Sequence, residues 1–295
     1  MIETGKLEEA MADFDRAIVI NASEGEAYAQ RGAVNTLRNR HGEAIQDYTR
    51  ALELGVRYIV AVLIGRAREF NLTGQYERAL DDLREAIRLD PSSAAAHSEM
   101  GLTEFELGAG ARALERLHLA VELSPRDSRV LVSRGLVLAR LGQYDAAIDD
   151  YTAALRFSPK YAMAYVNRGR AFELKGQFEA ARSDFKEAEA ADPRCFQASF
   201  NQGRLCLAAS DREGALMAFT KSLEINAANA EAYVGRGYVF AAKGDWKRAI
   251  EDFSSAIRVN PRYVDAYRRR AAAYREIGEL MKAEEDELKI RALNR

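Results

Sequence analysis

The chain has 295 residues with 43 basic and 45 acidic side chains, a net charge of −2 that favours neither nucleic acid nor an anionic lipid surface. With 48% hydrophobic and 30% charged residues and a mean hydropathy of −0.33, the composition excludes a disordered chain and a membrane-embedded one. The two cysteines make no disulfide framework, and a length rule that suggests two domains yields to the repeat signal below.

The opening segment "MIETGKLEEAMADF" lacks a basic stretch followed by an apolar core, so no secretory signal is visible and a cytoplasmic location is the expectation. Residues 5–20, "GKLEEAMADFDRAIVI", form an amphipathic helix with Leu7, Phe14 and Ile18 on one stripe. The apolar run at 58–65, "YIVAVLIG", is too short to span a bilayer.

From residue 25 onward the chain repeats itself. Pro91, Pro125, Pro159 and Pro193 recur every 34 residues, Ala227 takes the next beat, and Pro261 the one after. Gly101, Gly135, Gly169, Gly203 and Gly237 keep the same step. So does an alanine series through Ala44, Ala79, Ala113, Ala147, Ala181, Ala215, Ala249 and Ala283, with one 35-residue interval. A single array is expected, with a half unit at 5–24. Whole units follow at 25–59, 60–93, 94–127, 128–161, 162–195, 196–229, 230–263 and 264–295.

Inside each unit the apolar spacing is helical, as at Tyr165, Phe172, Phe178, Ala181 and Phe185. Gly74, Gly108, Gly142, Gly176 and Gly244 sit mid-unit, where one helix ends and the chain turns. The proline opens the next helix, where its missing N–H is harmless. Each unit is therefore an antiparallel helix pair, too small to bury its own apolar face, and stacking supplies the core. In the last unit Glu287 replaces the aromatic of Phe185 and Phe253, which reads as a polar cap, whereas the first unit opens half a repeat late.

These residues resemble the tetratricopeptide repeat (TPR) family, whose pattern is an aromatic, Leu-Gly, an aromatic, A-x₃-F and a closing Pro. In 162–195 the pattern appears as Tyr165, Arg168-Gly169, Phe172, Ala181-x₃-Phe185 and Pro193, with Arg-Gly in place of Leu-Gly. The resemblance covers residues 5–295 and implies an all-α, right-handed α-solenoid of antiparallel helix pairs, the TPR superhelix. It implies a protein–protein interaction scaffold rather than an enzyme.

Arg168 lies eight residues before the Gly176 turn and Asp184 eight after it, which sets them at one height on an antiparallel pair. The same phases hold Arg134 and Asp150, Arg236 and Asp252, Arg31 and Asp47, Arg66 and Asp82, and Arg270 and Asp286. Two units replace both partners, with Met100/Arg116 and Gln202/Ala218, and Asp13 has no arginine at the matching phase, which its half unit lacks. Pairing across the unit boundary also matches in height but leaves orphans. Joint presence or joint loss is what a structural ion pair requires, because one partner alone strands a charge.

The resemblance implies that the first helix of each unit lines a concave groove. Its groove phases hold Arg129 and Arg140, then Val166, Asn167 and Arg170, then Phe200, Asn201 and Arg204. Asn167 and Asn201 share a phase one period apart, and a carboxamide can both donate to and accept from an extended main chain. Four arginines against Glu173 give this stretch a net positive charge, so an extended acidic or phosphorylated peptide is the expected ligand. No lysine occupies a groove phase, so the family's carboxylate clamp of lysine, asparagine and arginine is not reproduced.

No cofactor, metal site or catalytic residue is expected. His41, His97 and His118 fall in different units, and Cys195 and Cys206 are eleven residues apart without further ligands. No phosphate-binding, nucleophile-elbow or zinc-protease motif occurs. Two other readings stand beside the peptide scaffold. One is self-association through the stripe of Leu7, Phe14 and Ile18, and the other is the targeting arm of a larger enzyme.

Overall fold

The computed structural model describes residues 2–294, which form seventeen helices without a strand. One compact unit ends at Phe157 and a second begins at Ser158.

The first unit opens with α1 (Ile2–Ile20). Four hairpins follow: α2 (Gly25–Leu37) with α3 (His41–Leu54), α4 (Ile59–Leu72) with α5 (Tyr76–Leu89), α6 (Ala94–Glu106) with α7 (Gly110–Leu123), and α8 (Ser128–Arg140) with α9 (Tyr144–Phe157). The second unit has four more: α10 (Ala162–Leu174) with α11 (Phe178–Ala191), α12 (Phe196–Ala208) with α13 (Arg212–Ile225), α14 (Ala230–Ala242) with α15 (Trp246–Val259), and α16 (Val264–Glu276) with α17 (Leu280–Leu293). Within each unit every helix packs on its hairpin partner and on the first helix of the next hairpin, which is a solenoid of helix pairs. The one 35-residue interval is absorbed in α4, which runs to 14 residues where α2 and α6 have 13.

Two glycine phases do different work. Gly176 adopts φ 75° after α10, the left-handed residue that ends the helix and turns the chain. Where that glycine is missing, Asn39 (φ 55°) and Ser210 (φ 61°) take the same conformation. Gly169 lies inside α10, where a Cβ would stand 2.7 Å from Phe185 Cε1. Its absence lets α11 approach closely enough to bury Phe185 completely. The alanine series fills the tightest contact, with Ala44, Ala79, Ala113, Ala147, Ala181, Ala215 and Ala249 at 0% exposure.

The C-terminal helix is less polar than expected. Glu287 does pair with Arg275, yet Met281 and Leu288 remain 80% and 57% exposed.

Candidate functional site

Each hairpin arginine is held by its own hairpin. Arg168 donates from Nε to Asp184 Oδ2 and from Nη2 to Oδ1, both at 2.8 Å. Arg134 meets Asp150 at 2.8 and 2.6 Å, and Arg236 meets Asp252 at 2.8 Å twice. Arg31, Arg66 and Arg270 repeat the fork with Asp47, Asp82 and Asp286. The aspartates are buried and the arginines only partly open. Hydrogen bonding to the carboxylate raises the Arg168, Arg134 and Arg236 pKa values above the usual arginine range, against burial.

Sequence reasoning missed a third partner. Arg66 Nη1 donates to Thr49 Oγ1 at 3.0 Å and Arg270 Nη1 to Ser254 Oγ at 2.9 Å, both on the preceding hairpin. Arg31 uses Asp15 of α1 in the same way at 2.8 Å. The signal was a hydroxyl or carboxylate two residues past the aspartate phase. Aromatic rings complete the setting, with the Arg168 guanidinium 5.6 Å from the Tyr165 centroid and 5.9 Å from Phe172. These guanidiniums are committed to the stack.

In the second unit the expected groove residues separate into two groups. Asn167 is half-buried and makes no side-chain hydrogen bond among the described residues, and Arg170 is exposed without an ion pair among them. Asn201, by contrast, is 4% exposed. Its Nδ2 donates to Gln197 O at 2.8 Å and its Oδ1 accepts from Arg204 Nη1 at 3.2 Å. Arg204 also reaches Glu173 Oε1 at 3.3 Å. Val166 is 2% exposed, packed among Ala162, Ala188 and Ala198, and Phe200 is half-buried with its ring centroid 6.0 Å from that of Phe219.

In the first unit Arg140 pairs with Glu106 and lies 4.6 Å over the Phe105 ring. Arg129 pairs with Asp127, the cap of α8, at 3.1 Å. The excess positive charge expected of the groove is therefore largely neutralised inside the fold. The reason is a glutamate on the neighbouring first helix, at 34 residues for Arg140 and 31 for Arg204, a spacing readable only once the stacking is known.

The same face of the first unit carries two cavities. A hole of about 250 Å³ between α2 and α4 is bounded by Ala29, Ala33, Ala61 and Val62, with Tyr48 and Tyr58 as walls. A cleft of about 400 Å³ is bounded by Leu72 and Asn71 of α4, Leu102 of α6, Leu136 of α8 and Tyr76. Arg68 of α4 and Glu99 of α6 flank the cleft as an ion pair of 2.7 Å.

The remaining polar chemistry is internal. Fully buried Glu69 accepts from Thr36 Oγ1 at 2.7 Å and meets His41 Nδ1 at 2.7 Å. Buried His97 meets Pro91 O through Nε2 at 3.1 Å. Glu104 is 6% exposed with no partner for Oε2. Burial pushes the thiol pKa values of Cys195 and Cys206 up, which disfavours the nucleophilic thiolate. Among the described residues no group of three His, Cys, Asp or Glu is placed to hold a metal ion, and no helix is long and apolar enough to cross a membrane.

Comparison with known proteins follows the same lines. Residues 67–108, 135–176 and 237–278 match the family model described as TPR repeat, and residues 166–231 match one described as Tetratricopeptide repeat. Together they span more than half of the chain. A 68-residue stretch is 35% identical to the small glutamine-rich tetratricopeptide repeat-containing protein 2 of Mycosarcoma maydis, covering 23% of this chain and 19% of that protein. Among solved structures, the APC/C hetero-tetramer Cut9–Hcn1 aligns with a TM-score of 0.71 at 16% identity, over 95% of this chain and 55% of that one. A tetratricopeptide repeat protein from Parabacteroides merdae aligns at 0.61 and 17% identity, over 85% and 98%. PilW, a type IV pilus biogenesis factor, aligns at 0.60 and 21%, over 70% and 96%. At these identities the structural likeness is one of fold.

Proposed function

This chain belongs to the tetratricopeptide repeat family, and from that premise we propose that it is a non-catalytic scaffold whose first helices bind an extended segment of a partner protein. The observation that carries the reading is the contrast between the two kinds of polar residue on these helices. The Arg168-type guanidiniums are spent on buried aspartates, whereas Asn167 and Arg170, one turn apart, keep their polar atoms without protein partners among the described residues. Asn167 offers a donor and an acceptor to a main chain, and Arg170 offers an ion pair to a carboxylate. Arg204, Asn201 and Glu173 act beside them as a hydrogen-bonded rim, so an acidic ligand engages Arg170 first.

The test is affinity capture at physiological salt, comparing the wild type with Asn167→Ala/Arg170→Ala after circular dichroism has shown both to be folded. Proteins retained by the wild type and lost from the variant support the reading. Identical captured sets refute this part of it.

A second reading, self-association through α1, has its own observation. Val19 and Ile20 are both 86% exposed, and Asp13, at the phase of the buried aspartates, pairs among the described residues with Arg16 of its own helix.

A further inference from the structure

The first unit presents a different chemistry on the same face, and it narrows what can bind there. The alanine-walled hole and the leucine cleft both border α4. The hole touches Ala61 and Val62 near its start, and the cleft touches Arg68, Asn71 and Leu72 near its end. Those two groups are centred about nine residues apart, roughly 13 Å along the helix axis. Extended chain covers that distance in about four residues. Residues i and i+4 of an extended chain also point to the same side, so one strand can fill both cavities.

Gly65 of α4 lies between the cavities, and a Cβ on it would stand 3.1 Å from the Tyr48 ring, so the missing side chain lets Tyr48, a wall of the hole, pack against α4. Charge narrows what the cavities can take. Arg68 is committed to Glu99 at 2.7 Å, Arg140 to Glu106, and Glu26 at the hole accepts from the Arg57 backbone N–H at 2.9 Å, so each charged group lining the two cavities already has a partner that a charged ligand would have to displace. At the cavity mouths Tyr58 and Leu72 are each 66% exposed, apolar surface that an uncharged ligand would cover.

We propose that the α2–α4–α6 face binds an extended, uncharged segment of a partner protein through two bulky apolar side chains four residues apart, one in the hole and one in the cleft. This rests on the reading that first helices form the binding face, and it replaces an acidic ligand by an apolar one in this half of the chain.

The experiment pans a displayed library of random nine-residue peptides against the full-length chain. Synthetic copies of the enriched sequences are then titrated against the wild type, Ala33→Leu, Leu72→Ala and Arg170→Ala, each checked for helicity. Ala33→Leu fills the hole from α2, and Leu72→Ala removes one wall of the cleft at an exposed position. The expected result is a pair of bulky apolar residues at i and i+4, with affinity falling roughly ten- to hundred-fold in Ala33→Leu and in Leu72→Ala. Arg170→Ala leaves it unchanged. Enriched peptides that are acidic and weakened only by Arg170→Ala overturn the proposal while leaving the groove reading intact. An apolar pair at i and i+7 or beyond marks a helical ligand and also overturns it. No enrichment, or binding indifferent to all three substitutions, removes the proposal and the groove reading together.

Discussion

Arg168 shows how much a single side chain can be asked to do. Two of its nitrogens lie on Asp184, a residue 4% exposed, and its guanidinium lies near both the Tyr165 and Phe172 rings. Removing Asp184 alone strands a guanidinium in a half-buried site, and removing Arg168 alone strands a carboxylate. Each single alanine variant is expected to cost about 3 kcal/mol in urea unfolding, and the double variant clearly less than the sum. Strict additivity in that cycle would mean the pair is incidental. The pairing was legible in the sequence because two charges kept step through six units and vanished together in two. Thr49 and Ser254, which take the third nitrogen of Arg66 and Arg270, were not legible, since a lone hydroxyl on a helix usually faces water. The groove cations misled for a related reason. A count of charges along one helix cannot see that Glu106 and Glu173 reach across from the preceding first helix.

At the scale of the helix, periodicity carried nearly everything. Apolar spacing and the mid-unit glycines mark helix ends within a residue or two, because local sterics and the need to bury one face leave little choice, whereas each proline lies in the turn three residues before the helix it was expected to open. What one chain's pattern did not expose was how close each contact is. Gly169 belongs to the 34-residue series and Gly42 does not, and the structure gives the distances: nothing lies within 4 Å of a Cβ on Gly42 of α3, while one on Gly169 meets Phe185 at 2.7 Å. Gly42→Ala is therefore expected to stabilise the protein by about 0.5–1 kcal/mol through the backbone entropy of the unfolded chain. Gly169→Ala is expected to destabilise it by about 1–3 kcal/mol, as overpacking displaces the Phe185 ring. Thermal unfolding of the two variants separates these effects by sign. Equal shifts would show that α10 and α11 adjust more freely than a fully buried ring allows.

For the whole molecule the open question is what the exposed edge at α1 meets. Phe14 sits at the phase of Tyr48, Phe185, Phe219 and Phe253, whose exposures are 7%, 0%, 1% and 2%. Those rings are covered from both sides, by the first helix of their own hairpin and by the first helix of the next. Among the described residues α1 packs on α2 alone, and Phe14, with Leu7 and Ile18, stays half-buried. Asp13 is in the same position, lacking the arginine that Asp47 receives from Arg31. A surface prepared for a helix, with a carboxylate at its centre, favours contact with a further helix over open water. If copies supply that contact, sedimentation equilibrium should give a mass that rises with concentration. Phe14→Asp, which sets a second carboxylate beside Asp13, should return the chain to a monomer with its helicity unchanged. A wild type that stays monomeric across the whole range would rule out self-association through α1.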